Sequence, residues 1–206
     1  MNAAYVKDLI PDGGWLDIDE PRLQPLEDEQ LNVRQKLLLS MMLKAGTARC
    51  TNLFRTMFRN LRIYLPFARL NSLLMPKGKL SRRHTELAIL RIGWKHRSSY
   101  EWGQHVDIGL RIGLTTADIY RVTQGANADG WDEREALVLT AVDELIDDRY
   151  LSASTWDALS GNFNQKLVIE LMFLITTYSG LASILNTVGV QLEPEIQEIL
   201  STTALS

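Results

Sequence analysis

The chain has 206 residues, 46% of them hydrophobic and 23% charged, with a net charge of −3. That composition fits one globular domain, or a domain with an N-terminal extension, and is enough to bury a full core. A single cysteine, Cys50, excludes an intramolecular disulfide, a CxxC redox pair and a multi-cysteine zinc site. The expected compartment is the cytoplasm, because cysteine usage is low and the N-terminus has no apolar run behind a basic start.

Residues 1–27, rich in Pro, Gly and Asp, predict an extended arm with one turn, lying over the body or a neighbouring subunit. Residues 28–206 read as a single all-helical domain. A first helix is expected from Asp28 to Lys44, ended by Gly46, and a second from Thr51 to Tyr64. Pro66 fits the first turn of a short third helix that stops before Pro76.

Two helices follow between Leu80 and Gly113, with Ser81 as N-cap and a polar turn near Lys95–Ser99. The first is apolar on all sides, as a buried helix is. The second carries a core stripe of Trp102, Val106, Leu110 and Gly113, and Gly109 is expected to leave room beside His105. Beyond it, Thr115 to Gly125 reads as a short helix, Asp132 caps a long one to Asp148, and Ser152 or Ser154 caps another through Leu159. Asn164 starts the longest, to Thr187, and Pro194 opens a last one before a terminus expected to fray. The uncharged stretch Leu171–Leu192 is long enough to span a bilayer, but its Thr, Ser, Asn and Gly content suits a core or interface helix, so no membrane is expected. No stretch alternates as a strand does, and the fold class is all-α.

Charge is unevenly placed. Residues 51–97 hold eleven Lys/Arg against one acid, Glu86, while residues 98–206 hold sixteen Asp/Glu against five Lys/Arg. The basic segment fits either solvated faces and subunit contacts or the attraction of an anionic substrate. The chain as a whole is acidic and lacks nucleic-acid-binding motifs, so no nucleic-acid partner is expected.

The arrangement that looks chemical lies in the central hairpin. Glu101 and His105 stand four residues apart on one helix face, and antiparallel packing brings Glu86 opposite them. A Glu–His pair at this spacing is by itself an ordinary ion pair, and a lone Glu in an apolar helix is an ordinary buried anchor. Convergence of all three, with Trp94 and Trp102 expected to exclude water, points to proton transfer instead. Zinc-helix spacings such as HExxH are absent, so no metal is expected.

The hairpin resembles the carboxymuconolactone decarboxylase family, which includes the AhpD-like alkylhydroperoxidases. The redox branch carries Glu, eleven residues, Cys, two residues, Cys, three residues, His. Here the same spacing holds Glu86, Ser98, Glu101 and His105. The lactone decarboxylases are the more similar branch, in Glu86-Leu87-Ala88-Ile89-Leu90, Tyr100-Glu101-Trp102, His105 and Gly113-Leu114, over residues 60–145. The resemblance implies an AhpD-like helical bundle organised around the hairpin, and a homo-oligomer built from trimers. It further implies cofactor-free carboxy-lyase chemistry on a small anionic substrate such as a carboxylated lactone.

In that reading His105 is the acid or oxyanion donor, Glu86 orients it and Glu101 relays a proton. Arg82, Arg83 or Arg91 would hold substrate carboxylates, with Ser98 and Trp102 lining the site. Thiol peroxidase activity is not expected, because Ser98 can neither attack a peroxide nor be reduced, and Cys50 is distant in sequence without a second thiol. The rival readings are another proton-transfer reaction on the same scaffold, and a non-catalytic binding protein.

Overall fold

The computed structural model describes residues 4–44 and 49–205. They form α-helices α1 (Val33–Lys44), α2 (Thr51–Met57), α3 (Leu61–Leu74), α4 (Arg82–Lys95), α5 (Ser99–Arg111), α6 (Thr116–Gln124), α7 (Glu133–Asp147), α8 (Ala153–Asn162), α9 (Gln165–Val188) and α10 (Pro194–Thr202). No strand occurs among the described residues, only an isolated bridge between Tyr5 and Ala204.

The α4–α5 hairpin is the centre. Helix α4 packs against α5, α6, α7 and α9, which explains its lack of a polar face. Ala88, Ile89 and Ile92 face one apolar cluster, with Val142 of α7 and Leu174 of α9. Leu87 and Leu90 face a second, with Trp102 and Val106 of α5, Ile119 of α6 and Ile196 of α10. The two helices approach closely at Gly93, where a Cβ would stand 3.0 Å from the backbone nitrogen of Trp102.

Most helix starts lie at the side chains expected. Ser81, Thr115, Asp132, Ser152 and Asn164 each accept a hydrogen bond from a backbone N–H in the first turn of the helix they open. Four boundaries differ. Helix α1 begins at Val33 rather than Asp28, because Asn32 and Gln35 cap each other's backbone N–H groups at 3.0 and 2.8 Å. Helix α2 stops at Met57, a 3-10 turn spans Phe58–Asn60, and Asn60 caps α3. Pro66 therefore lies inside α3 rather than in its first turn. Helix α8 continues past Leu159 to Asn162. The helix end expected at Gly46 lies outside the described residues.

Gly113 is not a core residue. It is exposed in the turn after α5 with φ of 99°, a conformation that suits glycine. The described residues before the C-terminus, expected to fray, are tied to the N-terminal arm. The Val6 N–H donates to the Thr203 carbonyl at 3.0 Å and the Leu205 N–H to that of Ala4 at 2.8 Å, while Val6 is buried against Ile196 and Leu200.

The N-terminal arm lies on the body and completes the hairpin turn. Arg97 takes a φ of 52° there, and its carbonyl accepts the Leu16 N–H at 2.8 Å. The Asp17 carboxylate accepts from the Ser99 hydroxyl at the start of α5. Helix α9 is long and apolar enough to cross a membrane. Here its Val168, Leu171, Leu174, Ile175 and Tyr178 side chains lie in the core.

Candidate active site

Glu86, Glu101 and His105 meet as the hairpin spacing predicts. His105 Nδ1 lies 2.6 Å from Glu86 Oε2, and its Nε2 lies 3.6 Å from Glu101 Oε1. Glu86 is fully buried, and its other oxygen accepts from Arg82 Nη2 at 2.7 Å. One chain of charge therefore runs Arg82, Glu86, His105, Glu101.

Burial opposes a charge on His105, but the charge and hydrogen bond of Glu86 and the charge of Glu101 outweigh it. The imidazole pKa rises above its ordinary 6.5. The short bond at Nδ1 fixes the ring, so the protonated imidazole directs Nε2–H toward Glu101. Burial raises the Glu101 carboxyl to about 7, with His105 acting against that shift and Glu86 adding to it. The wall thus holds a carboxyl poised near neutrality beside an imidazolium.

Glu101 and His105 line a cavity of about 390 Å³. Its other walls come from helices outside the hairpin: Leu53 and Phe54 of α2, Tyr64 and Phe67 of α3, Tyr178 and Leu181 of α9. The segment before residue 60 therefore covers the pocket. The aromatic ring on the imidazole is Tyr178, edge-on at 5.4 Å and 86°. Burial, with Glu101 and Glu86 nearby, holds its phenol well above its ordinary pKa.

Several expected site residues lie elsewhere. Trp94 and Trp102 stack with Trp15 of the arm at centroid distances of 5.2–6.0 Å in the second cluster, away from the cavity. A Cβ at Gly109 would meet Leu114 at 2.9 Å, so its space serves Leu114 and not His105. Ser98 is fully buried and does not line the cavity.

The arginines are committed. Arg83 pairs with Glu135 and, at 3.0 Å, with Asp118. Arg91 Nε lies 2.7 Å from Asp143 Oδ1, and its Nη1 donates to the Val122 and Thr123 carbonyls. Neither guanidinium lines the cavity, and Arg82 reaches it only through Glu86. Arg55 and Arg59 hold carbonyls of the arm, and Lys95 pairs with Asp147. Much of the basic segment is thus consumed in holding the fold.

Residues to which the sequence reading gave no role complete the site. Gln104 Nε2 donates to Glu193 Oε2 at 2.6 Å, and the Tyr100 hydroxyl donates to Glu193 Oε1 at 3.1 Å. Gln104 lies one turn from Tyr100 and one residue before His105, so helical periodicity could have flagged it. Glu193, at the start of α10, gave no such signal. Cys50, distant in sequence, also lines the cavity. Burial and the charge of Glu193 raise its thiol pKa far above the ordinary value. Among the described residues no three or more His, Cys, Asp or Glu side chains are grouped to hold a metal ion.

A helical hairpin walled by flanking helices gives an all-α fold of the AhpD-like kind. Residues 63–144 match the model of the carboxymuconolactone decarboxylase family. The debrominase Bmp8, in a cysteine-to-alanine variant complexed with 2,3,4-tribromopyrrole, is similar in fold with a TM-score of 0.73 at 15% identity, over 90% of this chain and 98% of that one. The AhpD core of a peroxidase-related protein from Ralstonia eutropha gives a TM-score of 0.67 at 13% identity, over 84% and 94%. A peroxidase-related protein from Silicibacter sp. TM1040 gives 0.67 at 16%, over 87% and 93%. No curated protein sequence matches the chain.

Proposed function

We propose that the protein is an acid–base enzyme that moves protons on a small unsaturated ring compound held in the cavity. The observation that carries this reading is the Glu101–His105 pair. A carboxyl with a pKa of about 7 faces an imidazole held protonated by Glu86, and both open onto one cavity.

For an enol-to-ketone conversion, the Glu101 carboxylate takes the hydroxyl proton and His105 Nε2–H delivers a proton to ring carbon. The substrate C=C becomes C–H as its C–O becomes C=O, so nothing is gained or lost overall. The proton on Glu101 then returns to His105 through a solvent molecule bridging their 3.6 Å separation, which restores the pair. Glu86 holds the ring and its charge, with Arg82 behind it.

Decarboxylation of a carboxylated lactone belongs to the same class, with His105 protonating the carbon that loses CO2. Thiol peroxidase chemistry is disfavoured, because Ser98 and Glu101 occupy the thiol positions and Cys50 is a lone, protonated thiol. That a neighbour of this fold was captured with a tribromopyrrole supports a small ring as ligand.

The test uses two reactions. Loss of 4-carboxymuconolactone is followed by ultraviolet absorbance, and exchange of the ring protons of phloroglucinol in D2O is followed by 1H NMR. Wild type should accelerate at least one and folded His105→Gln neither. Acceleration of neither by wild type, or full retention by His105→Gln, overturns the reading.

A further inference from the structure

Beside the His105 Nε2–H, the cavity wall carries three buried acceptors without a hydrogen-bond partner. Gln104 and Glu101 are 4% and 3% exposed, and Gln104 Oε1 and Glu101 Oε1 have no hydrogen-bond partner. The orientation of the Gln104 amide is set by its Nε2, which donates to Glu193 Oε2 at 2.6 Å, so the oxygen is the free atom. Asn71 Oδ1, on the α3 wall of the same cavity, is likewise buried without a partner. A buried acceptor left unpaired costs about 1–3 kcal/mol, so this wall gains most from a ligand that brings N–H or O–H groups.

The charges point the same way. Glu86 stands behind His105, and Glu193 behind Gln104 and Tyr100. Opposing them, Lys77 is the one Lys or Arg among the described lining residues, and it is exposed. A carboxylate driven to the deep end would meet one cation, the His105 imidazolium, whose charge Glu86 already balances, against the carboxyls of Glu101 and Glu193, and would find no arginine. A ring enters with less penalty, because Phe54, Phe67, Leu181 and Tyr178 make up much of the remaining wall.

We propose that the cavity selects a neutral aromatic or pyrrole-like ring bearing an O–H or N–H donor, with that donor shared between Glu101 Oε1 and Gln104 Oε1 and the ring among the aromatic side chains. A hydroxyl has a further advantage over an N–H. It can accept from His105 Nε2–H while donating to Glu101, spanning two groups that at 3.6 Å are too far apart to bond directly. The inference rests on the acid–base reading for the location of the site, and it narrows the substrate from a carboxylated lactone to a phenol, enol or pyrrole.

The experiment compares three probes of one shape by isothermal titration calorimetry at pH 7: 4-ethylphenol, its methyl ether 4-ethylanisole, and 4-ethylbenzoate. The phenol should bind about tenfold tighter than either of the others, the discrimination expected from one hydrogen bond to a buried acceptor. In Gln104→Met, checked for folding by circular dichroism, that preference should shrink severalfold. Equal or tighter binding of the ether or the benzoate, or no binding of any probe, overturns the proposal. If the variant does not fold, the three-probe comparison in wild type decides. Because binding needs no turnover, the two ideas fail separately. Phenol preference without acceleration of either reaction would refute the proton-transfer reading alone, and lactone turnover without phenol preference would refute the donor inference alone.

Discussion

Glu86→Gln removes the charge on which both His105 and Arg82 lean. The carboxylate is fully buried, with His105 Nδ1 at 2.6 Å on one oxygen and Arg82 Nη2 at 2.7 Å on the other. Breaking a buried pair from one side costs about 3–5 kcal/mol, and an amide that keeps one hydrogen bond places this case near 3 kcal/mol while His105 is charged. The pH dependence is the sharper signature. A His105 pKa raised in the folded state adds stability that is fully present below 6.5 and lost as pH rises through the raised value. Without Glu86 most of that contribution goes, so the gap between wild type and variant should be about 3 kcal/mol at pH 5.5. It should shrink toward the share of the half-exposed Arg82, about 1 kcal/mol, above the His105 titration. Urea unfolding at several pH values measures both limits. A gap below about 1 kcal/mol at pH 5.5, or one that does not narrow with pH, would refute the assignment of Glu86 as the counter-ion of His105.

Other outcomes follow from the same geometry. His105→Gln should abolish turnover while keeping the fold, read as kcat beside a circular dichroism spectrum. Arg91→Met leaves Asp143 without its guanidinium and should cost about 1–3 kcal/mol of stability with kcat/KM unchanged in the folded fraction, because Arg91 lies outside the cavity. A fall in kcat/KM alone would return Arg91 to the site. Val6→Ala should loosen the junction of the two termini, lowering stability by about 1–2 kcal/mol and raising amide exchange at Leu205, whose N–H is bound to Ala4.

What could be read from the residues followed from local rules. Ser81, Thr115, Asp132 and Asn164 announced their helices because a capping side chain acts within three residues. Glu86, Glu101 and His105 could be brought together because one helical turn and one hairpin are all that separate them. The cavity was less legible, because α2, α3 and α9 contribute walls through contacts that span most of the chain. Arg83 and Arg91 looked available for a substrate, but partners near residue 118 and between 122 and 143 take them, and no local pattern links those positions. Pro66 drew the expected helix boundary to itself, whereas the break falls at Phe58–Asn60, where Asn60 caps α3. The ends of the chain meet through a bridge between Tyr5 and Ala204, a pairing that strand patterning cannot reveal in so short a segment.

The central claim is that a carboxyl and an imidazole in this cavity are set to exchange protons near neutral pH. The most direct measurement is a 13C NMR titration of the glutamate side-chain carboxyls, with Glu101 assigned through Glu101→Gln. The account predicts a Glu101 midpoint near 7, while His105 remains protonated above its ordinary 6.5. A Glu101 midpoint at the ordinary 4.5, with His105 titrating at or below 6.5, would contradict it and leave the pair as structure without acid–base function.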